Sequence, residues 1–290
     1  MNAKLKDAGR NKEPKHPVLK HFREDSPGTP HLWCPGCGVG QVWHYTSRAI
    51  EELGLDEDKV LWVGGSGCTG RMCTYWHKDF FHTLHGRALS FATGVKLARP
   101  ELTVLVHSGD GECVAIGGNH LIHAARRNVD ITLIAVNNFN YGMTGGQFSP
   151  TTPTSVYTAT SPFGNPEEAF NLSTLMKEAG ATYIARWTTV HARQVINAIK
   201  KGIQNKGFSF IEILAQCPTQ YGRRNKLGDA VQMMEWLKAN SILKEKAEKM
   251  SPEELQGKFI LGELYSAARP EFSEYMRAVA ARASGKEEGG

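Results

Sequence analysis

Five short, nearly continuous apolar runs recur along the chain, and they constrain its fold more than any other feature. They are "VLWVGG" (60–65), "LTVLVHSGD" (102–110), "ITLIAVNN" (131–138), "TYIARW" (182–187) and "FSFIEIL" (208–214). Each has the length of a strand and is rich in β-branched residues. Between them lie stretches of helical period, at 86–99, 115–127, 170–179 and 191–205. A further helix is expected from Val39 to Leu53, where Val39, Val42, Trp43, Ala49, Ile50 and Leu53 share a face and Gly54 ends the run. Strands that are apolar on both sides need cover on both, so the alternation predicts an α/β fold: a parallel sheet with helices on both faces. Ligands of such sheets bind beyond the carboxyl ends of the strands, where the connections reverse.

With 290 residues, 41% of them hydrophobic, the chain can bury a sizeable core. No apolar run approaches the roughly 18 residues of a membrane span. The amino-terminal "MNAKLKDAGRNKEPKHPVLKHF" lacks the apolar middle of a secretory signal, so a cytoplasmic location is expected. The net charge of +5 is mild and sits largely in the polar ends, which argues against a nucleic-acid partner. Residues 1–30 read as an extended arm, 31–225 as the main domain, and 226–290 as a helical extension with a charged, disordered tail, "ASGKEEGG". The stretch 141–169 has little periodicity, and a loop of that length within a compact domain is expected to be functional or mobile.

The chemistry concentrates in "HSGDGECVAIGG" and "LIAVNNFNYGMTGGQ". Asp110 is expected at the end of one strand and Asn138, 28 positions later, at the end of the next. A βαβ unit of that length sets the two strand ends side by side. A carboxylate and an amide oxygen then face one crevice, as suits Mg2+, which completes its shell with phosphate oxygens and water. Glycines at 109, 111, 117 and 118 would let backbone approach a diphosphate, with Gly117 and Gly118 near a helix start whose N–H groups favour an anion. Gly-Asp-Gly alone is as easily a turn. Followed by Asn-Asn in this strand, helix and strand context, it resembles the thiamine diphosphate fingerprint.

Six cysteines are too few for a disulfide scaffold and suggest metal or redox use for some of them. In "WCPGCG", Cys34 and Cys37 form a Cys-x-x-Cys loop that serves a dithiol, a zinc site or a cluster equally well. Cys68 and Cys73 of "CTGRMC" would complete a zinc-like set, and spacing alone ranks that set with one that uses Cys217.

"WCPGCG", "GSGCTGR", "FHTLHGRALSFATGVKLARP", "GDGECVAIGGNHLIHAARRNVDIT", "NNFNYGMTGGQFSPTTP" and "AQCPT", in that order, resemble the β subunit of the 2-oxoacid:ferredoxin oxidoreductases. The likeness spans residues 30–225, and "GGNHLIHAARRN" and "YGMTGGQ" are most similar to the 2-oxoglutarate members. It implies thiamine diphosphate with Mg2+ held by Asp110, Asn138 and the main-chain carbonyl of Asn140. Gly109, Gly111 and Glu112 share the metal-binding turn, and Tyr141, Gly142, Met143 and Thr144 run along the diphosphate, Met143 limiting the pocket's volume. Glu112 departs from the family's usual aspartate. Cys34, Cys37, Cys68 and Cys217 match the ligands of a [4Fe–4S] cluster, which leaves Cys73 outside it and Cys113 as a small buried residue. His85 and Arg87 of "HTLHGRA" would line the cofactor pocket, and Arg71 would face the distal carboxylate of a dicarboxylic oxoacid.

The implied reaction is the reversible oxidative decarboxylation of 2-oxoglutarate with coenzyme A to succinyl-CoA and CO2. Electrons pass through the cluster to ferredoxin, and the reverse direction fixes CO2 as in a reductive TCA cycle. In this family the glutamate that activates the cofactor belongs to a separate α subunit, so the lone chain is expected to be inactive and to work as an (αβ)2 assembly. Two alternatives stand beside this reading: a pyruvate:ferredoxin oxidoreductase subunit, and a zinc-bearing, non-redox scaffold of thiamine type.

Overall fold

The structure, a computed structural model, describes residues 17–23 and 31–285. In chain order the elements are α1 (Gly38–Leu53), β1 (Val60–Gly64), α2 (Gly67–Gly70), β2 (Phe80–His82), α3 (Ala88–Ala98) and β3 (Thr103–Gly109). There follow α4 (Gly118–Arg127), β4 (Thr132–Asn137), α5 (Leu172–Ala179), β5 (Tyr183–Thr188), α6 (Ala192–Gln204) and β6 (Ser209–Leu214). The carboxyl-terminal part adds α7 (Ala230–Ala239), β7 (Ser241–Leu243), α8 (Lys244–Ala247), α9 (Pro252–Leu255), β8 (Phe259–Ser266) and α10 (Phe272–Ala283). None of the described helices is long and apolar enough to cross a membrane.

The strands form one sheet in the order β2-β1-β3-β4-β6-β5-β8-β7. From β2 to β5 every pairing is parallel. Period-two alternation sorts the strand side chains into two cores. Val60, Trp62, Leu105, Ile134, Val136, Ile211 and Ile213 pack with α1 and α6, whereas Leu61, Val63, Val104, Val106, Leu133, Ala135 and Phe210 pack with α3, α4 and α5. Burial of an aliphatic side chain such as Ile134 or Leu133 contributes about 2 kcal/mol, which explains why the strands read as unbroken apolar runs. Gly54 closes α1 in the left-handed conformation, with φ 62° and its N–H on the carbonyls of Ile50 and Glu51, as expected from its position.

Two features depart from the sequence reading. The segment after 228 is not helical throughout: β8 pairs antiparallel with β5, and β7 joins β8. β8 is half-exposed near the sheet edge and contains Gly262, so it lacks the apolar run that marked the inner strands. β2, at the opposite edge, has only three residues, too short to be seen as a run. Of the arm expected over 1–30, only 17–23 is described; there the Phe22 ring packs tilted against Trp43, centroids 3.9 Å apart, and Arg23 N–H donates to the Tyr75 carbonyl at 3.0 Å. Residues 286–290 of the tail also lie outside the described residues.

What positions the site is the adjacency of β1, β3, β4 and β6, four neighbouring parallel strands. β1 leads to β2 on one side, while β3, its other neighbour, leads on to β4, so the connections diverge between β1 and β3. The carboxyl ends of the four strands lead into Cys68, Asp110, Asn138 and Cys217 respectively.

Candidate functional site

Two cavities open at these strand ends. One, of about 270 Å3, is lined by Ser66 to Thr69, His85, Gly109 to Glu112, Asn138 and Asn140 to Thr144. The other, of about 260 Å3, is lined by Cys34, Cys37, Cys68 and Cys217 together with Trp33, Arg71 and Tyr75 among others. Cys68, Asn138, Gly142 and Met143 border both.

The oxygen-lined cleft is tightly arranged. Asp110 is buried, and the hydroxyls of Ser149 (2.6 Å) and Thr151 donate to its Oδ2. Both donors come from the long 141–169 stretch, which is thus pinned onto the cleft. Burial pushes the Asp110 carboxyl up to about 6, against the lowering effect of those hydroxyls and of the Gly111 and Asn138 N–H groups. A cation beside it would hold it ionised.

The Asn138–Asn140 turn has its own brace. Phe139 takes a left-handed backbone, φ 64°, unusual for a bulky residue. It is held by three contacts: its N–H donates to Asn137 Oδ1 (3.1 Å), Thr152 Oγ1 donates to its carbonyl (2.6 Å), and its ring stacks on Phe259 (5.6 Å). Asn137 is anchored in turn by donating to Glu212 (2.8 Å), which pairs with Arg186 at 2.7 Å. The turn leaves Asn138 Oδ1 and Asn140 Oδ1 buried without a hydrogen-bond partner among the described residues. Buried acceptors left bare next to a carboxylate fit a hard cation.

Glu112 is buried and fully engaged. Its Oε1 accepts from the N–H groups of Ser66 (2.7 Å) and Gly86 (2.9 Å), and its Oε2 accepts from Ser108 Oγ (3.0 Å). It ties the turn after β1 to the loop that carries His85, whose ring nitrogen lies 3.7 Å from it. Gly111 must be glycine: a Cβ there would sit 2.4 Å from the Tyr141 ring, whose hydroxyl donates to the Gly111 carbonyl at 3.0 Å.

Gly117 and Gly118 do not reach the cleft. Helical backbone begins at Asp110 itself and widens over Glu112–Ile116, where Gly117 N–H reaches back five residues to the Glu112 carbonyl. The helix start at the cleft is therefore eight residues earlier than the glycine pair suggested. Gly117 is needed instead for packing, since a Cβ would lie 3.1 Å from the Gly86 carbonyl.

Of the three expected catalytic residues, His85 lines the oxygen-lined cleft and Arg71 the sulfur-lined cavity. Arg71 Nε is buried without a partner among the described residues. Arg87 lines neither; it donates to the backbone carbonyls of Gly86 (3.3 Å) and Ile116 (3.1 Å), which ties down the start of α3. Among the cysteines, Cys34, Cys37, Cys68 and Cys217 come together on one cavity. Cys73 is fully buried elsewhere, its thiol donating to the Gly70 carbonyl at 3.2 Å, and Cys113 is buried below Asp110. Burial pushes the Cys37 thiol up to about 12 and the Cys68 thiol up to about 11, and the neighbouring cysteines push the same way. A metal centre there would displace protons as it bound. Ser149, Thr151, Thr152 and Asn137 escaped the sequence reading; the one signal for the first three was the hydroxyl-rich "SPTTP" in an otherwise aperiodic stretch.

The sequence family described as thiamine pyrophosphate enzyme, C-terminal TPP binding domain, matches residues 65–213. The chain is 49% identical over 271 residues to the 2-oxoglutarate synthase subunit KorB of Methanothermobacter marburgensis, covering 93% of this chain and 94% of that one. It is 50% identical over 259 residues to the subunit of the same name from Methanocaldococcus jannaschii, 89% of this chain and 95% of the other. A solved structure of 2-oxoglutarate:ferredoxin oxidoreductase from Magnetococcus marinus, with 2-oxoglutarate, coenzyme A and succinyl-CoA bound, matches with a TM-score of 0.82 at 31% identity, over 97% of this chain and 94% of that chain.

Proposed function

The chain belongs to the β subunits of the 2-oxoglutarate:ferredoxin oxidoreductases, and on that premise we propose that its two cavities hold thiamine diphosphate with Mg2+ and a [4Fe–4S] cluster. The observation that carries this reading is the shared wall of Cys68, Asn138, Gly142 and Met143. A cofactor that releases electrons and a cluster that accepts them singly need such proximity, whereas a closed structural zinc does not.

Thiamine diphosphate, when bound, supplies the electron sink for decarboxylation of a 2-oxoacid. Asp110, Asn138 and the main-chain carbonyl of Asn140 would hold Mg2+, and the backbone of Gly109, Gly111 and Tyr141 to Thr144 would follow the diphosphate. Cys34, Cys37, Cys68 and Cys217 would supply the four thiolates of the cluster. Arg71 is the candidate for the distal carboxylate of 2-oxoglutarate, where a guanidinium offers a two-pronged fit. His85 reaches the mouth of the cleft and is the candidate for contact with the substrate or the cofactor.

The cleft contains two carboxylates, and both are committed, Asp110 to Ser149 and Thr151 and Glu112 to Ser66, Gly86 and Ser108. Neither is free to activate the cofactor, which supports a partner α subunit as the source of that glutamate. Ferredoxin as acceptor, coenzyme A as co-substrate, an (αβ)2 assembly and a cytoplasmic setting complete the proposal.

The test is anaerobic co-purification with the α subunit, followed by metal analysis and viologen reduction dependent on 2-oxoglutarate and coenzyme A. About four irons per chain are expected, and activity only with both subunits present. One zinc without iron would refute the cluster, and activity of the lone chain would refute the need for a partner.

A further inference from the structure

A second donor cluster lies at the amino ends of β1 and β2, away from the cavities at the carboxyl ends. Glu57 stands in the turn that leads into β1, and His77 just before β2. His21 comes from the Pro17–His21 turn, which packs on α1. His21 Nδ1 lies 3.1 Å from Glu57 Oε1, and His77 Nε2 lies 3.0 Å from Glu57 Oε2. One donor atom from each of the three falls within 4.8 Å of the other two, the one such trio among the described residues.

Two observations go beyond proximity. The His21 side chain is 3% exposed, yet neither of its ring nitrogens has a hydrogen-bond partner among the described residues. Its Nδ1 has only that close approach to Glu57, and its Nε2 is buried with no polar partner among the described residues, which is costly. His77, by contrast, has its Nδ1 3.0 Å from the His21 main-chain carbonyl. A carbonyl only accepts, so Nδ1 is the donor in this contact, and Nε2 faces the Glu57 carboxylate. Metal-bound histidines commonly have this arrangement, the far ring N–H tied to a backbone carbonyl and the near nitrogen free.

We propose that His21, Glu57 and His77 form a site for a divalent transition-metal ion of the zinc type, which fastens the amino-terminal segment to the sheet. Two imidazoles and a carboxylate are a common Zn2+ donor set, with water in the fourth position. Donors around such an ion stand about 3.4 Å apart, so the trio would close by no more than about 1.5 Å, within reach of side-chain rotation. The ion would join three segments that are remote in sequence, beside the Lys78–Asp58 pair at 2.8 Å that already links two of them.

The experiment is a Co2+ titration of the full chain, comparing the native protein with Glu57→Gln, His77→Gln and Cys217→Ser. Cobalt on thiolates shows sulfur-to-metal charge-transfer absorption, and cobalt on imidazole and carboxylate does not, so the cysteine cavity is told apart. One Co2+ without that absorption is expected in the native chain and in Cys217→Ser, with affinity at least about ten-fold weaker in Glu57→Gln and His77→Gln. Zn2+ should also slow tryptic cleavage after Lys20 and Arg23 in the native chain but not in Glu57→Gln. Equal Co2+ affinity in the native chain and Glu57→Gln overturns the site, as does no Co2+ uptake beyond that on thiolates. Should His77→Gln unfold, the near-isosteric Glu57→Gln, checked by circular dichroism, decides.

Discussion

The oxygen-lined cleft and the sulfur-lined cavity share a wall but are built in different ways. In the cleft each donor is set by neighbours before any ligand arrives: Ser149 and Thr151 hold Asp110, and Asn137 and Thr152 hold the strained turn at Phe139. The sulfur-lined cavity is assembled from four separate segments, and backbone contacts do most of the aligning. Cys37 N–H donates to the Cys34 carbonyl (3.1 Å), Gly38 N–H to the Gln216 carbonyl (3.0 Å), and Gln216 Nε2 to the Gly36 carbonyl (3.2 Å). These bonds tie the Cys34–Cys37 loop to the segment holding Cys217. The cleft is preorganised, whereas the sulfur cavity has its chain fixed while burial holds the Cys37 and Cys68 thiols against ionisation, so the group it binds finishes the order.

The sharpest way to break this contrast is Cys217→Ser. It should reduce bound iron from about four per chain to less than one and abolish dye reduction, while thiamine diphosphate affinity, read by calorimetry, stays within two-fold. If thiamine diphosphate binding fell together with the iron, the two cavities would be one cooperative unit. Next in size is Asp110→Ala, which should weaken Mg2+-dependent thiamine diphosphate binding by about a hundred-fold and leave the iron content unchanged. Unaltered affinity would remove Asp110 from the metal site. Glu112→Ala leaves the Ser66 and Gly86 N–H groups without their acceptor, which should cost about 3 kcal/mol in urea unfolding. A loss below 1 kcal/mol would show that water replaces the carboxylate.

Thr152→Val removes one bond to the Phe139 carbonyl and should cost about 1 kcal/mol, with a few-fold loss of thiamine diphosphate affinity and full iron. The smallest effect is expected from Cys73→Ser, a near-isosteric change at a thiol that bonds only backbone carbonyls. Iron should remain at about four per chain. Iron loss here with retention in Cys217→Ser would reverse the ligand assignment.

The two cavities also differ in how much of them could be read from the sequence. Asp110 and Asn138 were legible because a strand, helix and strand of known length force their ends together. Cys217 was legible only through family likeness, since 149 residues separate it from Cys68 and no local rule carries a sulfur that far. Met143 was expected to limit a pocket, but its place on the wall between two cavities depends on how the turn after β4 meets the segment after β6. The hydroxyls that anchor Asp110 sit in the aperiodic 141–169 stretch, where no regular backbone pattern announces a contact. β8 was missed for a related reason: a half-exposed strand near an edge buries too little apolar surface to write a continuous run.

By itself, then, the sequence determined the alternation of strands and helices, the parallel inner sheet, and the identity of the residues at the strand ends, because local periodicity and burial on both faces demand them. Only the tertiary structure decided the rest: which cysteines share a cavity, that Arg87 serves backbone rather than pocket, that helical backbone starts at Asp110, and that His21, Glu57 and His77 meet at the opposite end of the sheet. The physical reason is the same in each case. Periodicity is a property of neighbours along the chain, whereas a site depends on strand order and loop closure, which only the packed fold supplies.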